Sequence, residues 1–438
     1  MNFFAVRGSR ELSEEEFKAH LALTVRLENV GAFLGAGASV SAGGKTLAEV
    51  WADFLNVYPE TIAWLVEHKF IKKNQACAEA VVNLEQVMDA LDLASIEWSR
   101  AERDGIADLD IHRSNLRRVI VKAALLQPDL WERPDTAPDN EAIGDHVRLL
   151  SRLVSNRQPG QAAPWVYTVN YDLAIEWAAE ALGLHLVNGF TGLHSRAFSP
   201  ASFDLGLRNT QARGEARFGT YNVYLGKAHG SLSWIESEDG SVVELPSRAQ
   251  WADFKKFINA EAGVTCPGLL IFPGAAKFVQ TAGFIYGEIV RRLTEFMSRP
   301  NTCLIISGYA FNDDHINRVI LSALQNPTLQ IVIYLPELDR FEMFPTIPRP
   351  QKTLTPNLML ARLIKRQLPQ VTVCGFGARA FFSQMTKDLP EPALLDDAAQ
   401  RARDLERLLR GPANQTVAVP TGTITQASEA PLEDGAEA

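Results

Sequence analysis

Apolar residues follow two rhythms along this chain. From about Pro59 to Gly160 they recur at helical spacing in successive stripes. The stripes are Trp64, Leu65 and Phe70; Leu84, Val87, Met88, Leu91 and Leu93; Leu116, Val119, Ile120, Ala123 and Leu126; then Val147, Leu150, Leu153 and Val154. Such stripes face a core, and no chemistry is assigned to them. On either side the rhythm changes to short apolar runs alternating with helices. Strands are predicted at Val30 to Leu34, Ala163 to Val169, Leu184 to Val187, Leu269 to Phe272, Thr302 to Ser307, Leu329 to Leu335 and Val371 to Val373.

Helices are predicted between these runs. One starts at a Ser13 cap with Glu14, Glu15 and Glu16 in its first turn and runs to about Glu28. A second carries Leu47, Val50, Trp51, Phe54 and Leu55. Others carry Leu173, Ile175, Trp177, Ala178 and Leu182, or span Ile285 to Phe296, Asp313 to Leu324, Leu358 to Leu368 and Ala378 to Met385. The strands from Ala163 and Leu184, with their helix, form a βαβ unit by spacing. Residues 190–245 read as short antiparallel strands or long loops. The alternation predicts an α/β chain: a Rossmann-like doubly wound parallel sheet with a helical insertion. Residues 1–58 and 161–390 carry the sheet, 59–160 the insertion, and 391–438 a largely disordered tail poor in large apolar side chains.

Composition narrows the class. The chain has 438 residues, a net charge of −9 and ordinary globular usage. The acidic balance argues against direct nucleic-acid binding. Cys77, Cys266, Cys303 and Cys374 are too far apart for a local zinc knuckle or CxxC pair, which fits a reduced cytoplasm. The N-terminus has no secretory pattern, and no apolar run is long enough to cross a membrane.

Chemistry concentrates where apolar runs end. The first run enters Gly35-Ala36-Gly37-Ala38-Ser39, a glycine turn ahead of a helix. That order brings backbone N–H groups against a phosphate, and glycine permits the close approach. Gly43-Gly44-Lys45-Thr46 resembles the end of an NTPase phosphate loop, but the glycine required five positions before Gly44 is Ser39. The second strand ends at Asn170-Tyr171-Asp172. Such residues form turns and cap helices, and they also stand where ligands bind in a doubly wound sheet. His229 lies in Lys227-Ala228-His229-Gly230-Ser231, and its type suits proton transfer near neutral pH. Ser307-Gly308-Tyr309 leads into Asn312-Asp313-Asp314-His315. This is either a phosphate or ribose site or a helix joint capped by Asp313 or Asn312, with His315 on the first helical turn.

Taken in order, these stretches resemble the sirtuin-like family, the NAD-consuming fold named after silent information regulators. Asn83-Leu84-Glu85, and Phe272-Pro273 with Lys277, are weaker matches; Glu85 is read as a solvated or capping residue. The resemblance spans about residues 28 to 335. The zinc ribbon of the protein-deacylating members is absent, because Cys266 and Cys303 are the only cysteines between His229 and Ser307. Gly43-Gly44-Lys45-Thr46-Leu47 stands where those enzymes carry Gly-Ile-Pro-Asp-Phe-Arg, and Tyr171 replaces Ile or Val before the aspartate. These features resemble the bacterial branch found in antiphage defence.

The resemblance implies hydrolysis of NAD to nicotinamide and ADP-ribose, depleting the infected cell, with NAD as substrate and no metal. It implies that Gly35, Ala36 and Gly37 cradle the pyrophosphate with Ser39 nearby. Asn170 and Asp172 would hold the nicotinamide ribose and a water, and His229 would be the general base. Ser307, Gly308 and Asp314 would address the adenosine half. Control by homo-oligomerisation, or by a partner in trans such as a HerA-type DNA-translocating ATPase, belongs to the same expectation. The competing expectations are a non-catalytic module binding NAD or ADP-ribose in a defence assembly, and an NAD-dependent protein deacylase.

Overall fold

The structure is a computed structural model. It describes residues 3–392 except 79, 81, 83, 133–140, 159–160, 194, 208–221, 238–239, 262, 271–281, 337–357 and 376. The tail expected to be disordered, from residue 393 on, lies outside the described residues.

Among the described residues the chain opens with β1 (Phe4–Arg7), β2 (Arg10–Leu12), α1 (Glu14–Thr24) and β3 (Asn29–Leu34). Helices follow: α2 (Leu47–Val57), α3 (Pro59–Glu67), α4 (Leu84–Arg100), α5 (Ile106–Ala124), α6 (Asp129–Glu132) and α7 (Gly144–Ser155). Then come β4 (Trp165–Thr168), α8 (Ala174–Ala181), β5 (His185–Val187), β6 (Phe190–Thr191), β7 (Arg196–Phe198) and β8 (Asn222–Lys227). Next are β9 (Gly230–Ser231), β10 (Trp234–Glu236), β11 (Val242–Glu244), α9 (Ser247–Ile258) and β12 (Leu269–Leu270). The chain continues through α10 (Ala282–Ser298), β13 (Thr302–Ser307), α11 (Asp314–Ala323), β14 (Leu329–Leu335), α12 (Leu358–Lys365), β15 (Val371–Gly375) and α13 (Phe382–Asp388).

Nine strands form the central sheet, in the order β2-β1-β15-β14-β13-β3-β4-β8-β5. Every pairing from β15 across to β5 is parallel, and only the β1–β2 hairpin joins antiparallel. The sheet is therefore mixed and mostly parallel, compatible with the Rossmann-like sheet expected from the pattern. Side chains alternate between its faces. On β13, Leu304 and Ile306 join one core with α10, α11 and α12, whereas Cys303 and Ile305 join another with α1, α7, α8 and α13. Both faces are covered, which is why the central strands read as unbroken apolar runs.

Local signals set the helix starts. Ser13 and Glu16 form a reciprocal capping box on α1, and Thr46 and Glu49 do the same on α2. The first helix stops at Thr24, short of the expected Glu28.

Four features differ from the pattern-based expectation. The hairpin β1–β2 carries too few residues to give a periodic signal. The strand β8 lies within 190–245, yet it is a parallel strand of the main sheet, between β4 and β5. Its alternating look arises because Val223 and Leu225 enter one core while Tyr224 stacks on Trp165 on the other face, with ring centroids 4.7 Å apart. Within the same region β6, β7, β10 and β11 form a four-stranded antiparallel sheet, in the order β10-β11-β7-β6. The strand at Leu269 is not parallel: β12 is a two-residue piece antiparallel to β9. Finally, α2 to α5 share a core of their own, but Leu149, Leu150, Leu153 and Val154 of α7 pack on the sheet with Val30, Ala32 and Val166.

Candidate active site at the carboxyl ends of the parallel strands

One row of the sheet organises the site. Ser307 of β13 pairs with Leu34 of β3, Leu34 with Thr168 of β4, and Thr168 with Lys227 of β8. Apart from Ser307, which is in the row itself, the candidate residues lie beyond it, past the carboxyl ends of four neighbouring strands. Between β3 and β13 the strand order reverses its direction along the sheet. Ligands of open α/β sheets bind at such a reversal.

At that reversal the glycines serve the backbone first. The Gly35 amide donates to the Ser307 carbonyl at 3.1 Å, and the Gly37 amide to the Gly308 carbonyl at 3.0 Å. A Cβ on Gly35 would lie 2.6 Å from the Tyr309 Cα, and one on Gly37 would lie 2.8 Å from the Gly308 Cα. Gly308 has a φ of +66°, and its Cβ would lie 2.7 Å from the Gly37 carbonyl carbon. The two loops are interlocked, so the Gly37 amide expected in the phosphate cradle is committed to protein. The Ala36 amide meets no backbone carbonyl among the described residues. The NTPase lookalike resolves into a turn and a cap: Gly43 closes a 3-10 turn at a φ of +91°, Lys45 pairs with Asp53, and Thr46 caps α2.

Beyond β4 the side chains form a network. Asn170 Nδ2 donates to the Gly35 carbonyl at 2.9 Å and to Ser39 Oγ at 2.8 Å. Ser39 Oγ in turn donates to Asp172 Oδ2 at 2.6 Å. Asp172 Oδ1 accepts the Ala174 amide at 3.0 Å, at the start of α8. Ser39 and Asp172 are buried, whereas Asn170 is half-buried. A carbonyl only accepts, so Gly35 fixes which end of the Asn170 amide faces it. Both Nδ2 hydrogens are then spoken for, and Oδ1 is the atom left to meet a ligand.

Lys227 supports this loop from β8. Its ammonium, 2% exposed, donates to the Tyr171 carbonyl at 3.4 Å, to the Asp172 carbonyl, and to Glu176 Oε1 at 2.8 Å. Burial pushes the Glu176 carboxyl above its ordinary value, and the Lys227 charge offsets only part of that.

His229 sits just past the same row, buried, its ring centroid 6.4 Å from that of Tyr171. Its Nε2 lies 2.9 Å from Asp313 Oδ2. Asp313 Oδ1 accepts the amides of His315 at 2.8 Å and Ile316 at 3.1 Å, capping α11. Burial alone would raise the Asp313 carboxyl; the His229 hydrogen bond and charge, with those two amides, outweigh it and hold the carboxyl below its usual range. An ionised Asp313 only accepts, so His229 Nε2 carries a proton toward it, and Nδ1 is the ring nitrogen left to exchange one.

The structure thus gathers Gly35, Ala36, Gly37, Ser39, Asn170 and Asp172 into one hydrogen-bonded and close-packed unit, with His229 at the end of the adjacent strand. The residues assigned to the adenosine half divide. Ser307 is fully buried, Gly308 is packed on Gly37, and Asp314 is exposed on the first turn of α11, as is His315. Asp313, not Asp314, is the carboxylate joined to the site. It was foreseen only as a cap, and nothing in one sequence shows that its second oxygen meets a histidine 84 positions away. Lys227 and Glu176 were missed as a pair for the same reason. Phe272, Pro273 and Lys277, with Asn83 and the Glu85 side chain, lie outside the described residues.

Among the described residues no group of three or more His, Cys, Asp or Glu is arranged to hold a metal ion, and no helix is long and apolar enough to cross a membrane. Comparison of the chain with models of known protein families, and with curated protein sequences, finds no match.

Proposed function

We propose that the chain is an NAD glycohydrolase, splitting NAD with water into nicotinamide and ADP-ribose. The observation that carries this reading is the Ser39–Asn170–Asp172 network at the ends of β3 and β4, with the pair of His229, past β8, and Asp313, past β13. In such a reaction the bond from the ribose carbon to nicotinamide breaks, and positive charge develops on the sugar. A fixed carboxylate and oriented dipoles stabilise that charge at no cost of rearrangement. Asp172 supplies the carboxylate, held by Ser39 and by the Ala174 amide. Asn170 Oδ1 accepts from a ribose hydroxyl or from the attacking water. His229 Nδ1 takes the proton that the water loses, and Asp313 steadies the imidazolium. The Ala36 amide is the donor offered to the pyrophosphate.

Purified protein supplied with NAD, with and without an acetylated peptide and with and without lysate of infected cells, tests the reading. Nicotinamide and ADP-ribose released without peptide are the expected result. Release that requires the peptide points to deacylation, and tight binding without turnover points to a binding module; either overturns the proposal.

A further inference from the structure

Lys227 lies one row before the candidate residues and is absent from the chemistry above, yet its ammonium is among the most buried charges of the protein. It has three hydrogens and three acceptors. One acceptor is the Glu176 carboxylate; the other two are consecutive backbone carbonyls, Tyr171 and Asp172, in the loop that carries Asn170 and Asp172. A lysine needed only to neutralise Glu176 has no reason to meet those carbonyls. The same seam carries two backbone bonds, from the Ala228 amide to the Thr168 carbonyl at 2.9 Å and from the Leu232 amide to the Tyr171 carbonyl at 3.0 Å. His229 lies between Ala228 and Leu232. Lys227 therefore ties the Asn170–Asp172 loop to the segment that holds His229.

We propose that Lys227 is a positioning residue: its ammonium clamps the Tyr171 and Asp172 carbonyls and fixes Asn170 and Asp172 relative to His229. The catalytic consequence rests on the NAD glycohydrolase reading; the clamp itself does not. Groups displaced by about an ångström from productive geometry cost roughly 10²-fold in rate. Loss of the clamp therefore lowers kcat by about that factor and leaves KM nearly unchanged, because the pyrophosphate donor on the glycine turn is untouched.

The test separates clamping from charge neutralisation. Lys227→Met leaves the half-buried Glu176 without its cation and is destabilised. In the double variant Lys227→Met/Glu176→Gln both charges are gone, so thermal stability returns toward that of the parent. The clamp predicts that kcat stays about 10²-fold down in the double variant. It also predicts faster amide hydrogen exchange at Tyr171 to Ala174 alone. Recovery of kcat together with stability overturns the proposal. If the parent protein releases no nicotinamide under any condition, the glycohydrolase reading has failed, and exchange alone decides the clamp: faster local exchange in the double variant upholds it, and parental exchange overturns it.

Discussion

Where β3 and β13 end, the chain is held by backbone lying on backbone. Where β4 and β8 end, it is held by buried side chains that share charges and protons. At the first junction Gly35, Gly37 and Gly308 approach so closely that a single methyl on any of them meets main-chain atoms. At the second, Asn170, Ser39 and Asp172 divide donors and acceptors among themselves, flanked by the Lys227–Glu176 ion pair and the His229–Asp313 hydrogen bond. The first junction is a question of volume and φ, the second of partner and protonation. The two meet at the Gly35 carbonyl, which accepts from Asn170. A close-packed glycine seam thus becomes the reference against which the candidate groups are set.

The comparison breaks most visibly at Gly308. Gly308→Ala forces a Cβ within 2.7 Å of the Gly37 carbonyl carbon at a φ of +66°. Backbone cannot swing aside as a side chain can, so overpacking and strain add to about 3 kcal/mol or more of lost stability. Gly144→Ala is the control. It opens α7, where nothing lies within 4 Å of the new methyl, and it should be neutral or stabilise by up to about 1 kcal/mol. Urea denaturation of both variants reads the difference. A Gly308→Ala protein as stable as the parent would falsify the interlock.

At the second junction the largest effect falls on turnover. Under the glycohydrolase reading, His229→Ala removes the general base and lowers kcat by roughly 10²–10⁴-fold with folding retained. Asp313→Asn keeps the volume and an acceptor for the α11 cap. It frees the imidazole proton to move to Nδ1, where it blocks the basic nitrogen, so kcat falls by a smaller factor than in His229→Ala. Nicotinamide release under saturating NAD measures both. Equal turnover in parent and His229→Ala would remove His229 from the mechanism.

The same contrast explains what could be read in advance. Glycines at strand ends, the Ser13 and Thr46 caps and the unbroken apolar runs are local signals, since each is dictated by neighbours within a few positions. They yielded the α/β class, the strands β3, β4, β13 and β14 and the glycine turns that end β3 and β13. The purpose of the seam was less legible: a glycine that admits a phosphate and one that admits another loop look alike. Partner choice at the second junction was not legible at all. Lys227 reaches Glu176 because α8 packs on the face of the sheet that Val223 and Leu225 of β8 enter, and Asp313 meets His229 although β3 and β4 stand between β13 and β8. The parallel strand β8 was misplaced because its one polar-looking face is covered by Trp165.

Ser39 sharpens the comparison, because it belongs to both junctions. Ser39→Ala keeps the 3-10 turn and the glycine seam but removes the acceptor of Asn170 and the donor to Asp172. Leaving buried polar groups short of a partner costs about 1–3 kcal/mol each. Asn170 is half-buried and water can replace its lost acceptor, so the expected loss of stability is near 1 kcal/mol. Asn170 also loses one of the two bonds that orient its amide, and under the glycohydrolase reading kcat falls about 10-fold, equivalent to about 1.4 kcal/mol in the barrier. A full loss of activity would mean that Ser39 acts on the substrate itself.

The smallest effect is a pair of opposite pH dependences within the second junction. Asp313 is held below its ordinary value of 3.8, so the folded state releases its proton more readily than the unfolded chain. Its contribution to stability is present above pH 3.8 and is lost as pH falls through the folded value. Glu176 is raised above its ordinary 4.5, so the folded state takes up the proton first. Its contribution therefore grows as pH falls through the folded value toward 4.5. Thermal midpoints of the parent, Asp313→Asn and Glu176→Gln, followed from pH 7 to 3, separate the two. The advantage of the parent over Asp313→Asn should shrink below pH 3.8. Relative to Glu176→Gln, the parent should gain on the way down to pH 4.5 and then hold level. Two curves that move in the same direction would mean that the two carboxylates do not occupy the contrasting environments described: Asp313 tied to an imidazole and two amides, Glu176 half-buried against a single ammonium.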